Sequence, residues 1–198
     1  MRMFLAVALV ALGIGGCAQE TALPKTCATT GIEHVGGPIS LIDEHARPVT
    51  QADFAGKPTL LYFGFANCPD ICPTSLQTVR LGLEARKKGA ARVTVALITV
   101  DPERDTPESL ARYVANDAFP TGLRGLTGTP AQTKSALDGF KVYAARRDDP
   151  GSAAGYAFDH TSMLYLMDGR WRPVAIFPSE MQPAEMAACI DRALAKAG

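Results

Sequence analysis

The chain is 198 residues long and carries 20 Lys plus Arg against 20 Asp plus Glu, so its formal net charge is zero. Apolar residues make up 47% and charged residues 20%, ordinary globular proportions that exclude a disordered chain and a coiled coil. No basic excess is present to neutralise phosphates, which excludes a nucleic-acid binder, and a single compact domain accounts for the length.

Arg2 precedes an apolar run through Phe4, Leu5, Val7, Leu9, Val10 and Leu12 that ends in Ile14-Gly15-Gly16-Cys17. That run is roughly 14 residues, where a membrane span needs about 20. Its layout is a secretory signal with small residues directly before a cysteine, so residues 1–16 read as a lipoprotein signal peptide. Cys17 is then the acylated first residue of the mature chain, anchored to a bacterial membrane and facing the periplasm or cell exterior. An ordinary signal peptide cut nearby, with Cys17 incidental, is the plainer alternative. Either way export implies an oxidising compartment. Residues 17–37 show no apolar periodicity and read as a tether reaching at most about 65 Å. The folded domain is expected over 38–198.

From Pro38 strand and helix signals alternate. Residues 39–42 and 48–50, joined through Asp43-Glu44-His45, suggest a short hairpin. Residues 59–65 form a continuous apolar and aromatic run, as a strand buried on both faces requires. Leu76, Val79 and Leu83, with Arg80, Glu84, Arg86, Lys87 and Lys88 opposite, make an amphipathic helix that stops at Gly89. A second buried strand spans 93–100. Thr106-Pro107-Glu108 opens a helix with a cap, a first-turn proline and an acid at the positive dipole end. Thr129 to Gln132 repeats that start as a capping box. A short strand is expected at 142–144, and strands at 163–167 and 174–177 flank the turn pair Asp168-Gly169. A last helix runs from Pro183 with Met186, Cys189, Ile190, Ala193 and Leu194 on one stripe. The pattern describes an α/β sandwich of thioredoxin type with an N-terminal hairpin.

The chemistry concentrates in Phe65-Ala66-Asn67-Cys68-Pro69-Asp70-Ile71-Cys72-Pro73-Thr74, between the first buried strand and the first long helix. Open α/β sheets place their sites there. Pro73 suits the first helical position, which puts Cys72 near the cap, and the positive end of a helix lowers thiol pKa. Two such thiols can close a disulfide, exchange disulfides or hold a soft metal. A fixed disulfide across so small a ring would add little loop-closure entropy.

This segment resembles the Sco/SenC family, thioredoxin-like copper-handling assembly factors for cytochrome oxidase. The likeness rests on three motifs in order: 68–73 after the strand run, Val100-Asp101-Pro102-Glu103-Arg104-Asp105-Thr106-Pro107, and Asp159-His160-Thr161-Ser162 leading into Tyr165-Leu166-Met167-Asp168. It spans the chain from about Gly37 onward. The resemblance implies that Cys68, Cys72 and His160 bind one copper ion and that the chain assists metallation of a cytochrome c oxidase subunit. Other periplasmic copper chaperones or thiol reductases are further expected partners. Donor chemistry agrees: thiolate suits Cu(I), imidazole suits either oxidation state, and no fourth residue closes a structural zinc site. A mobile loop over 148–157, with Gly151 and Gly155, is expected to regulate capture by His160.

A thiol–disulfide oxidoreductase is the main rival, acting on the copper-ligand cysteines of the same subunit. Against it, three residues rather than two separate the cysteines, Asn67 stands where such enzymes carry Trp, and no proline occurs between Gly151 and Arg172 to clamp a substrate strand. A peroxidase of peroxiredoxin type ranks lower, since Pro69 occupies the place of its threonine. Asp101, Arg104 and Asp105 read as a loop ion pair with helix capping rather than as metal ligands. Asp70 and Asp159 read as groups behind the metal or on a docking rim. Cys27 and Cys189 read either as a disulfide pinning the tether to the last helix or, for Cys189, as plain core.

Overall fold

A computed structural model of the protein describes residues 27–151 and 154–198. The elements are strands β1 (Ser40–Asp43), β2 (Pro48–Thr50), β3 (Thr59–Gly64), β4 (Thr94–Thr99), β5 (Arg124–Thr127), β6 (Ala144–Asp148), β7 (Tyr156–His160), β8 (Met163–Met167) and β9 (Pro173–Pro178), with helices α1 (Ile71–Glu84), α2 (Pro107–Val114), α3 (Pro130–Phe140) and α4 (Pro183–Ala197). Seven strands form one sheet in the order β2-β1-β5-β4-β3-β8-β9, and β6 pairs with β7 in a separate hairpin. β3, β4 and β5 are mutually parallel, while β8 runs antiparallel to β3. This is the thioredoxin-like α/β fold with an N-terminal β-hairpin.

β3 is buried along its whole length, because its side chains alternate into two covered faces. Tyr62 and Gly64 face α1, where a Cβ on Gly64 would lie 2.9 Å from both the Cys72 sulfur and the Tyr62 ring. Phe63 faces the other way, tilting against Phe140 of α3 at 5.3 Å and meeting Tyr165 edge-on at 5.4 Å. α1 and α4 pack together on the first face, with Met186 filling the space left by Gly82. Helix starts follow their local chemistry. Thr106 accepts from the Ser109 amide at the head of α2, and Thr129 and Gln132 form a reciprocal capping box at the head of α3.

Three local expectations change. The chain from 27 to 37, read as part of the tether, lies on the domain: Cys27, Ile32 and Val35 are buried, and Ala28 pairs antiparallel with Ile176. Its apolar residues are too few and irregular to show a period, although Cys27, Ile32 and Val35 are buried. The expected loop at 148–157 is the tip of a hairpin that the sequence did not announce: Ala144–Asp148 pairs with Tyr156–His160, and the loop proper lies between Asp148 and Tyr156. β6 and β7 project from the sheet and expose charged residues, so no apolar alternation marks them in the sequence. β5 went unread because four residues that include a glycine carry no periodic signal.

Cys27 and Cys189 are joined by a disulfide with 6.0 Å between their Cα atoms. Both cysteines are buried, so Cys189 is a core residue and a bridge at once. Cys17 and residues 1–16 lie outside the described residues.

Candidate metal centre

The parallel strands β3 and β4 end side by side, with Gly64 opposite Thr99. Directly beyond β3 the chain turns through 65–70 and enters α1. α1 begins at Ile71 with Asp70 at its cap, so Cys72 and Pro73 are its second and third residues rather than its cap and first. Proline is tolerated there because the first-turn amides have no acceptor within the helix.

The loop is held from below. Asp105, fully buried, accepts from the Ala66 amide at 3.1 Å and from the Thr99 hydroxyl at 2.6 Å. Burial pushes its carboxyl pKa upward, against those two hydrogen bonds. Cys68 is half-buried and its sulfur accepts from the Cys72 amide at 3.3 Å. Cys72 is fully buried. Both thiols are free.

From the far side of the sheet's end, the last residue of β7 brings in its ring. His160 Nε2 lies 3.6 Å from Cys72 Sγ, across 88 residues of sequence. Its Nδ1 is 3.2 Å from the Thr161 carbonyl, and a proton on Nδ1 donated there leaves Nε2 with its lone pair toward the sulfur. The ring is seated edge-on against Phe65 at 5.9 Å and against Tyr62 at 6.3 Å. Among the described residues, no three His, Cys, Asp or Glu side chains are already closed about one point at coordination spacing. The two sulfurs stand at the helix mouth, and the imidazole is already against one of them.

The two thiols divide their roles. A hydrogen bond from the Cys72 thiol pulls the Cys68 pKa well below the usual thiol range, outweighing burial, with the His160 side chain and then the backbone amides of Cys72 and Asp70 adding to it. The same bond, together with burial and the neighbouring Cys68 charge, pushes Cys72 far up. The two thiols titrate as a pair, the hydrogen bond between them favouring charge on the outer sulfur and the proton on the inner one.

The remaining sequence candidates are placed differently from one another. Asp101 is buried, paired with Arg104 through Nε, and accepts from the Tyr156 hydroxyl at 3.0 Å. Asp101 and Arg104 form the ion pair that one reading of this loop expected. Asp70 is exposed, its carboxylate accepting from Thr74 at 3.4 Å. Asp159 points to the outer face of the hairpin and pairs with Arg147 at 3.6 Å. Tyr62, Phe65 and Phe158, which seat the imidazole and the cysteine loop, were missed. Tyr62 shares its strand face with Gly64, the period-two clue that could have found it.

Fold and site together define a thioredoxin-like protein with a CxxxC pair at a helix mouth and a distant histidine folded onto it. The SCO1/SenC family model matches residues 28–195. The SCO2-like protein of Rickettsia prowazekii is 38% identical over 152 residues, 77% of this chain and 73% of that protein. Among solved structures, Bradyrhizobium japonicum ScoI with copper bound is 40% identical at a TM-score of 0.70, covering 81% of this chain and 99% of that one. Arabidopsis thaliana ScoI with copper bound is 32% identical at a TM-score of 0.76, covering 82% and 99%. The chain belongs to the SCO1/SenC family.

Proposed function

We propose that the protein is a copper metallochaperone that carries one copper ion on Cys68, Cys72 and His160 and delivers it to the copper-binding subunit of a cytochrome c oxidase. The observation that carries the reading is the 3.6 Å approach of the His160 Nε2 to the Cys72 sulfur, beside the second sulfur of Cys68, which accepts from the Cys72 amide at 3.3 Å. Relatives of 32–40% identity have structures with copper bound. Two thiolates and one imidazole suit copper in both oxidation states, the sulfurs favouring Cu(I). The ion is cargo here. Cys68 offers an ionised sulfur at the surface, Cys72 must lose its shared proton as the ion enters, and Nε2 supplies the third donor. An acylated Cys17, with residues 1–16 removed, would keep this head on the membrane that holds its partner.

Titration of the fully reduced protein tests the reading, with one copper per chain as the expected stoichiometry. His160→Ala should weaken Cu(II) far more than Cu(I), since the sulfurs alone already suit Cu(I). Equal loss for both ions removes His160 from the ligand set. A second reading is favoured by the unlike thiols: an outer thiolate and an inner protonated thiol also suit attack on a partner's disulfide followed by resolution. Fast catalytic exchange without metal retention would select that thiol–disulfide reductase instead.

A further inference from the structure

The hairpin that delivers His160 belongs to no part of the seven-stranded sheet. At its base the Thr161 amide donates to the Tyr143 carbonyl at 3.0 Å, which fixes one end. The other end is held from outside, by a side chain of the loop between β4 and α2. Arg104 Nη1 donates to the carbonyls of both Ala154 and Tyr156 at 3.0 Å. Its Nε is spent on the buried Asp101, which in turn accepts from the Tyr156 hydroxyl. The Arg104 guanidinium carbon lies 3.6 Å from the Tyr156 ring centroid and that of Arg146 lies 3.7 Å from it. Two cations that close to one ring occupy opposite faces, so the phenol is sandwiched.

Tyr156, Phe158 and His160 alternate along β7 and therefore share one face. Phe158 meets Tyr156 and Phe65 edge-on, each at 6.0 Å, and Phe65 in turn supports the His160 ring. Whatever sets the pitch of that face at Tyr156 sets the approach of the imidazole to the sulfurs. The Arg104–Asp101 pair is largely withdrawn from solvent, with side-chain exposures of 19% and 1%. Desolvating such a pair offsets most of its attraction, so its retention is better explained by the arrangement it holds than by net stability.

We propose that Arg104 is a positioning residue for the metal centre: by clamping the hairpin through Asp101 and Tyr156 it holds His160 on the sulfurs and so sets how firmly the site keeps Cu(II). This rests on the reading that Cys68, Cys72 and His160 are the ligands. The sulfur loop has its own tie in Asp105, and Arg104 reaches it only at 6.0 Å over the Phe65 ring, so removal of the clamp acts chiefly on the third donor.

The test is a double-mutant cycle on the reduced full chain, with copper as the probe. R104Q is expected to speed loss of Cu(II) to a chelator about 10- to 100-fold, as removal of a ligand's orienting partner does. It should also alter the Cu(II) hyperfine pattern in electron paramagnetic resonance while leaving Cu(I) affinity within about threefold of wild type. In the R104Q/H160A double variant the Arg104 change should add nothing beyond His160→Ala, because both act through one donor. Tyr156→Leu removes the sandwich from the hairpin side and should reproduce R104Q, giving the same readout if R104Q fails to fold. Additive losses, equal loss of Cu(I) and Cu(II), or wild-type Cu(II) release in both single variants overturns the clamp. If His160→Ala itself leaves Cu(II) untouched, the ligand assignment falls and the clamp with it; if only the Arg104 and Tyr156 variants are silent, the clamp alone falls.

Discussion

Cys68 and Cys72 are chemically distinct although only four positions apart, one on the loop and the other in the first turn of α1. Cys68 is half-buried and its pKa is lowered, while Cys72 is fully buried and its pKa is raised. At neutral pH, iodoacetamide should label Cys68 first, with Cys72 slower by about tenfold or more, because alkylation needs both thiolate and access. Peptide mass spectrometry over a time course reads this directly, and equal rates would contradict the assignment. A second residue-scale effect lies far from the site. Asp43 is buried, which alone would raise its carboxyl, yet hydrogen bonds from the Arg47 side chain and from the Arg47 and His45 amides hold it at about 2. A carboxyl held below its usual 3.8 contributes its stability in full above that value and loses it as pH falls through about 2. Wild type should therefore exceed Asp43→Asn in stability at pH 6, with the gap shrinking between about pH 4 and pH 2 in denaturant titrations followed by circular dichroism.

At the scale of elements, the junction of β3 with α1 tolerates no added volume. Gly64→Ala would put a methyl group 2.9 Å from the Cys72 sulfur and from the Tyr62 ring, both immobile in the core. Overpacking of this kind costs about 1–3 kcal/mol, and thermal denaturation should show it together with weakened copper retention. A variant with wild-type melting and binding would mean that the strand end yields more easily than its burial implies. This junction was legible in the sequence: the unbroken apolar run, the cysteines after it and the proline at the helix start each carry a strong local signal. The elements at Pro107, Pro130 and Pro183 were readable for the same reason, since caps and first-turn prolines are local chemistry. The β6–β7 hairpin was not. Ala144-Ala145-Arg146-Arg147-Asp148 buries little, so its pairing leaves no period, and its fixing by Arg104 links positions about 50 residues apart that only the fold brings together. His160 was found through a motif, but the means of holding it was not.

The whole molecule is closed by one long covalent link. The bridge from Cys27 to Cys189 spans 162 residues of sequence. Under the chain-entropy model a loop of that length stabilises the fold by about 5 kcal/mol, less any native-state strain. Cys189→Ser should lower the unfolding free energy by an amount of that order in urea titrations, while copper stoichiometry stays at its wild-type value because the site's own thiols are untouched. A loss under about 1 kcal/mol would show that the buried face of α4 holds the N-terminal segment unaided.

For a head anchored through Cys17, as proposed, the same bridge would also set how far it can travel. On the proposal that Cys17 is the anchored residue, ten residues of sequence would separate it from Cys27, a reach of at most about 33 Å, rather than the roughly 65 Å that a chain loose to Gly37 would allow. Halving the radius confines the search to about an eighth of the volume. Encounters with a partner on the same membrane become correspondingly more frequent, and any docking face standing higher than the short leash is out of range. On that proposal the redox state of two cysteines remote from the metal, together with the packing of Ile32 and Val35, would set which neighbours the protein can touch.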